Sequence, residues 1–281
     1  RFSFAPYYAK LREYAGIENR DVWEFKLNLS ADQIKWVFMH AYELSPSFFK
    51  YYFFTENCSY HLLSLLDMAD VEHKFTDQTK KWVLPIDTLK LLDKRGVIEQ
   101  VSFQPSLART IRTQLAQLNS EQSEILEELF RHGYDPEKDP LAVFSIEEKI
   151  PVLDLLSKLE QFRRFKSSEE ITARMGEAER NLLNERSQYQ IPSSPFEVPA
   201  PSIRPDKGHA TTRIVTGIFS IAGRTFSELE WRAAYHDLLD PSAGFEFNSG
   251  IEFLNVKLRY ATAGVRNTDK LFIQQFTLLD I

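Results

Sequence analysis

The first clear period in the chain follows an aromatic, tyrosine-rich opening, RFSFAPYYAKLREY. Between Asp21 and Leu29 the residues alternate, with Trp23, Phe25, Leu27 and Leu29 on one parity, and this predicts a strand. Ser30 with Gln33 is a capping box, so a helix is predicted from about Ala31 to Leu44, ended by Pro46. The aromatic run from Phe48 to Phe54 predicts a strand or a short buried segment. A further helix is predicted to open near Asn57 and to continue to about Met68.

From Pro105 to Gln190 the pattern is helical and polar. Pro105-Ser106 starts one helix, and Ser120 caps another that ends at His132-Gly133. Ser145 with Glu148, and Ser167 with Glu170, are capping boxes for two more. The last of these is charged nearly all round, which predicts a strut between domains rather than a core element. Pro192, Pro195, Pro199, Pro201 and Pro205 then predict an extended, semi-rigid linker. Beyond it the period becomes two. Leu229, Trp231, Ala233 and Tyr235 alternate with Glu228, Glu230 and Arg232. Phe245, Phe247, Ile251 and Phe253 share one parity, while Leu254, Val256, Leu258 and Tyr260 share the other. The switch at Phe253-Leu254 predicts a bulge or turn.

The expected organisation is therefore α+β: residues 1–104, a helical region 105–190, a linker 191–210 and an antiparallel β domain 211–281. Strands of this length also suit the start of an outer-membrane-type barrel. The final LFIQQFTLLDI reads as a strand, so the β domain is expected to continue past it. The first residue is Arg1 and no charged-then-apolar leader follows, so a removed targeting segment or a fragment is expected.

Composition narrows the function classes. The 281 residues are 43% hydrophobic and 13% aromatic, which excludes global disorder and supports a sizeable core. No uncharged apolar run reaches the roughly 18 residues of a membrane-spanning helix. A net charge of −6 disfavours non-specific binding to nucleic acid. There is no HExxH spacing and no glycine-rich phosphate loop, so neither a metal nor a cofactor is expected. Cys58, the single cysteine, excludes an internal disulfide or a cysteine-rich zinc site.

Cys58 lies in Thr55-Glu56-Asn57-Cys58-Ser59-Tyr60-His61. A cysteine in the first turn of a helix meets unpaired backbone N–H groups and the positive end of the macrodipole, both of which favour the thiolate. The same N–H groups can hold an oxyanion, and Asn57 is both a good cap and a candidate side-chain donor to that oxyanion. The pattern equally suits a packed cysteine, because Cys58 shares a stripe with Leu62 and Leu65. His61 is on the same helix face and is a candidate base. Side chains leaving one helix in parallel rarely meet in line, so a packing role is its alternative. His236-Asp237 precedes the turn Asp240-Pro241, where a turn-stabilising role is favoured over half of a triad. His132 reads as a helix C-terminal residue, His40 and His73 as surface or packing residues, and His209 is ambiguous.

The segments RDVWEFKLNLS, YYFFTENCSYHLLSLLD and LPIDTLKLL resemble the bacterial Lnb N-terminal periplasmic domain family. GHATTRI and WRAAYHDLLDPSAGFEFNSGIEF resemble the β-rich domain that follows it in Gram-negative members. The Asn-Cys pair is also similar to permuted papain-type enzymes, in which the cysteine forms an acyl-enzyme and a histidine on an earlier strand activates it. The resemblance implies a papain-like segment with a helical insertion, periplasmic placement and outer-membrane association. It further implies thiol acyl transfer from phospholipid to the N-terminal amine of a lipoprotein, with Cys58 as nucleophile, Asn57 beside it, and the family's histidine upstream of the PYY segment. Tyr52, Phe54, Glu56, Ser59 and Tyr60 are the candidate substrate-binding residues. The alternatives are a thiol amidohydrolase acting on peptidoglycan and a non-catalytic scaffold docked to the outer membrane.

Overall fold

A computed structural model describes residues 4–72, 74–79, 83–135, 138, 140–166, 169–193, 196–241, 243–245, 250–263 and 270–280. The chain divides into two compact units, each drawn from separated stretches: Leu29–Val97 with Pro201–Ile281, and Phe2–Asn28 with Ile98–Ala200.

The second of these begins with a short helix α1 (Tyr7–Leu11), which continues as a wider turn through Ile17. Its two-stranded antiparallel sheet joins β1 (Val22–Leu27) to β2 (Ile98–Gln104), with Trp23 opposite Phe103 and the two rings 4.8 Å apart. Four helices follow: α5 (Leu107–Leu115), α6 (Ser120–His132), α7 (Ile146–Lys166) and α8 (Glu169–Ser187). Ser106 caps α5 by accepting from the Arg109 N–H. The cap of α6 is Asn119, one residue before the predicted Ser120, because Asn119 has extended backbone and completes a box with Gln122. At the start of α7 the Ser145 N–H donates to Glu148, as predicted. The predicted Ser167 cap lies outside the described residues.

This region is not merely polar. Ile150, Val152, Leu153, Leu155 and Leu156 of α7 are buried, and the last four centre a core with Ile111, Leu126, Leu129, Leu141, Phe144 and Leu182. Leu182 belongs to α8, so the predicted strut supplies a core side chain after all. Arg186 of the same helix pairs with Asp154 at 2.8 Å. A narrow apolar stripe is enough when one leucine fills a slot against the buried middle turns of a neighbouring helix.

The other unit holds α2 (Ala31–Leu44), α3 (Cys58–Leu66), α4 (Pro85–Lys94) and a sheet of β3 (Arg213–Ile221), β4 (Arg224–His236), β5 (Ile251–Ala263) and β6 (Leu271–Asp280). The capping box of α2 forms as predicted, with Ser30 and Gln33 each accepting the other's backbone N–H. The run from Phe48 to Phe54 is neither a strand nor buried. It is loop and turn, and Phe48 is 82% exposed.

The strands follow chain order, β3-β4-β5-β6, all antiparallel, in an open sheet rather than a closed barrel. The parity switch at Leu254 is a kink: its φ is +49°, in the left-handed region, and no residue is inserted opposite it. The covered parity of β4 is the charged one, with Glu230 and Arg232 buried beside Asn255 of β5. Arg213 and Arg232 meet Glu230, Asp237 and Asp240 at 2.5–2.9 Å, so these buried charges are paired. The end of the Pro-rich stretch is anchored on α4, where Lys90 donates to the His209 carbonyl at 2.9 Å and Thr211 donates to Asp87 at 3.3 Å.

A candidate cysteine-centred site

Cys58 is the first residue of α3 and is exposed, so the packed-cysteine reading is not the one the structure shows. Asn57 fixes it there. Its backbone is extended, and its Oδ1 accepts from the Ser59 and Tyr60 N–H groups at 3.0 and 3.2 Å. Its Nδ2 donates to the Phe53 and Val83 carbonyls at 3.0 and 2.6 Å. The Val83 N–H returns a bond to the Phe54 carbonyl at 2.7 Å. The turn before the cysteine is thereby clamped at both ends. These bonds commit both amide hydrogens of Asn57 and leave none for an oxyanion. The His61 N–H donates to the Asn57 carbonyl, so the first-turn donor left without a partner among the described residues is that of Cys58 itself.

Packing puts further groups around the thiol. Tyr235, near the end of β4, has its hydroxyl pushed up to about 12, first by burial and then by negative charge at Asp87, Cys58 and Tyr51. It therefore stays a neutral O–H. Phe53 and Phe54 pack on Phe253 of β5, with ring centroids 6.0 and 4.4 Å away. A cavity of about 190 Å³ opens there, lined by Phe54, Leu84, Ala233, Ala234, Phe253, Leu254 and Leu278, all apolar.

The other predicted site residues fall as follows. Ser59 is buried and Tyr60 half-buried, while Tyr52 and Glu56 are exposed on the clamped turn. Phe54 lines the apolar cavity. The His61 ring packs against Phe49 at 4.8 Å, and its Nε2 is buried without a hydrogen-bond partner among the described residues. No histidine among those residues hydrogen-bonds Cys58. His40 lies 3.6 Å from Glu43, and His73 lies outside the described residues.

Sequence spacing gave no sign that His209 and His236 would meet. His209 Nε2 is 2.8 Å from His236 Nδ1, and Phe245 stacks on both rings. Gly244 permits this turn: its φ is +87°, and a Cβ there would lie 2.9 Å from the Arg204 carbonyl oxygen. Asp240 lies 3.7 and 3.9 Å from the two ring nitrogens, so the three side chains are close enough to hold an ion. Their present geometry is different. Ring centroids 5.1 Å apart with nitrogens at 2.8 Å place the two nitrogens pointing at each other, as an N–H···N bond requires. Both Asp240 oxygens are taken by Arg213 and Arg232. Since the His209 Nδ1 lies 2.7 Å from the Ala210 carbonyl and donates there, its Nε2 accepts from His236. Asp237 pairs with Arg232 and accepts from the Leu239 and Asp240 N–H groups, a turn-stabilising role as expected.

These features define an α+β protein with an exposed cysteine at a capped helix start. Residues 1–95 match the family described as the Lnb N-terminal periplasmic domain, and residues 202–281 match a family described as a domain of unknown function (DUF7840). The protein is accordingly a periplasmic component of the cell envelope. Comparison with curated proteins and with solved structures gave no match. No helix of the described residues is long and apolar enough to cross a membrane.

Proposed function

We propose that the protein is a cysteine-dependent acyltransferase of the envelope, moving an acyl chain from a phospholipid to the N-terminal amine of a lipoprotein. The observation that carries this reading is an exposed thiol at the head of a helix, with its own N–H unpaired, four residues along the chain from Phe54, which lines a wholly apolar cavity. The Cys58 sulfur attacks the ester carbonyl carbon. The C–S bond forms as the carbonyl electrons move onto oxygen, towards the Cys58 N–H and the Tyr235 hydroxyl. The oxyanion collapses, the C–O bond breaks, and the lysophospholipid leaves as an alcohol after taking the proton that came from the thiol. The amine nitrogen then attacks the thioester, the C–S bond breaks, and the departing sulfur takes up the proton that the nitrogen gives up as the amide forms, which restores the thiol. The base is the upstream histidine that the resemblance implies. An apolar cavity favours a fatty acyl group over a peptidoglycan peptide, whose recognition needs polar partners.

The test is mass spectrometry of the protein after incubation with phosphatidylethanolamine vesicles. The expected result is an acyl adduct on Cys58 that hydroxylamine removes and that Cys58→Ala lacks. A thiol that reacts with iodoacetamide but takes no acyl group would refute acyl transfer while leaving a thiol hydrolase standing.

A further inference from the structure

We propose that the uncharged face of the β3–β6 sheet is a lipid-contacting surface that seats the protein on the acyl chains of a bilayer. The proposal is independent of the chemistry at Cys58. The register sorts the sheet into two faces of opposite character. Ile214, Thr216 and Ile218 of β3 pair with Trp231, Leu229 and Ser227 of β4, and these pair in turn with Val256, Leu258 and Tyr260 of β5. Phe276, Ile273 and Leu271 of β6 complete the rows. Across four strands of 9 to 13 residues, this face carries no charged side chain between Ile214 and Trp231, Leu254 and Tyr260, or Leu271 and Leu278.

The opposite face holds the charge. Glu228 pairs with Arg259 at 2.7 Å, Glu230 with Arg213 at 2.9 Å, and Lys257 lies 3.8 Å from Glu230. In a sheet that faces water the exposed parity is polar and the covered one apolar. Here the order is inverted: Ile218 is 78% exposed and Phe276 60%, while Arg232 is fully buried. A contiguous uncharged band of this kind is complementary to hydrocarbon, and strands of about 9–11 residues are the length that a bilayer core accepts. The periplasmic placement supplies membranes on which it can sit. The free edges of β3 and β6 set the depth. Open sheet edges are not tolerated in hydrocarbon, so four strands alone lie no deeper than the headgroup boundary, and a deeper seat requires strands that pair those edges.

The experiment is flotation of the full chain with vesicles of phosphatidylethanolamine and phosphatidylglycerol. The expected result is that the protein floats, and still floats at about 1 M salt, where the screening length falls to about 3 Å. Ile218→Glu and Phe276→Glu, checked for wild-type far-UV circular dichroism, should each lower the bound fraction about tenfold or more. Should a variant fail to fold, the wild type still decides the matter: bromo-acyl lipids should quench its fluorescence, and Trp231→Phe should remove most of that quenching. Protein that stays at the bottom of the gradient overturns the proposal, as does binding released by salt. So do variants that float like wild type, which would put the contact elsewhere, and concentration-dependent dimers without flotation, which would make a second copy the occupant.

Discussion

Asn57→Ala tests whether the asparagine in the Asn-Cys pair builds the site or takes part in the chemistry. The substitution removes the oxygen that caps Ser59 and Tyr60, a loss worth about 1 kcal/mol. It also strips the Val83 carbonyl of its 2.6 Å donor in a buried setting, which costs about 1–3 kcal/mol. The Phe53 carbonyl is part-buried and can turn to water, so it adds little. The sum is about 3 kcal/mol, or a fall in melting temperature of about 6–12 °C at roughly 2–4 °C per kcal/mol for a chain of this size. Asn57→Ser divides the effect, because a hydroxyl can cap but cannot span two carbonyls. It should recover about 1 kcal/mol relative to alanine, read as the shift in urea midpoint at constant slope. If Asn57→Ala melts within about 0.5 kcal/mol of wild type while Cys58 loses its reactivity, the clamp is not structural and Asn57 is an oxyanion donor.

Cys58→Ser should change stability by no more than about 0.5 kcal/mol, because the thiol is exposed and makes no hydrogen bond among the described residues, yet it should abolish acyl-adduct formation. Burial, and then the neighbouring His209, hold His236 below its ordinary value of 6.5. The unfolded chain therefore binds the extra proton first, so stability should be full above about pH 6.5 and should decline as pH falls below it, and His236→Gln should flatten that slope in a pH series of melting curves. Ala234→Leu should fill part of the 190 Å³ cavity and slow acylation by long-chain donors more than by short-chain ones, with the melting temperature nearly kept. Equal slowing for all chain lengths would count against the cavity as the acyl site.

The features legible in the sequence are those decided within a few residues. The box at Ser30-Gln33, the cap at Asn57 and the cap at Ser106 all form, because each needs only an oxygen and an N–H two or three positions on. The slip from Ser120 to Asn119 has the same origin, since both residue types cap well and only backbone conformation separates them. The sequence could not assign the aromatic run, because what Phe54 packs against, Phe253, is about two hundred residues away. Nor could it tell which parity of β4 is covered. Strict alternation is symmetric between its two faces, and the choice rests on Asp237, Asp240 and Arg213 arriving from a turn and another strand. The His209–His236 pair was illegible for the same reason, being 27 residues apart with a turn between.

The surroundings of Cys58 come from both matched regions. The first, residues 1–95, supplies the sulfur, its cap and Asp87. The second, residues 202–281, supplies Tyr235, the Phe253 ring under the aromatic turn, and five of the seven walls of the apolar cavity. Apart from the cavity's remaining walls, the polar tie between the regions is local to α4, where Lys90 holds the His209 carbonyl and Asp87 accepts from Thr211. Asp87 thus acts twice, as an acceptor for the second region and as a negative charge near the Tyr235 hydroxyl. Withdrawing β4 and β5 would remove the Tyr235 hydroxyl and open the apolar cavity to water at the same time. On the proposed reading, the first region alone would present the thiol without the cavity, so the β domain would be needed to complete the site.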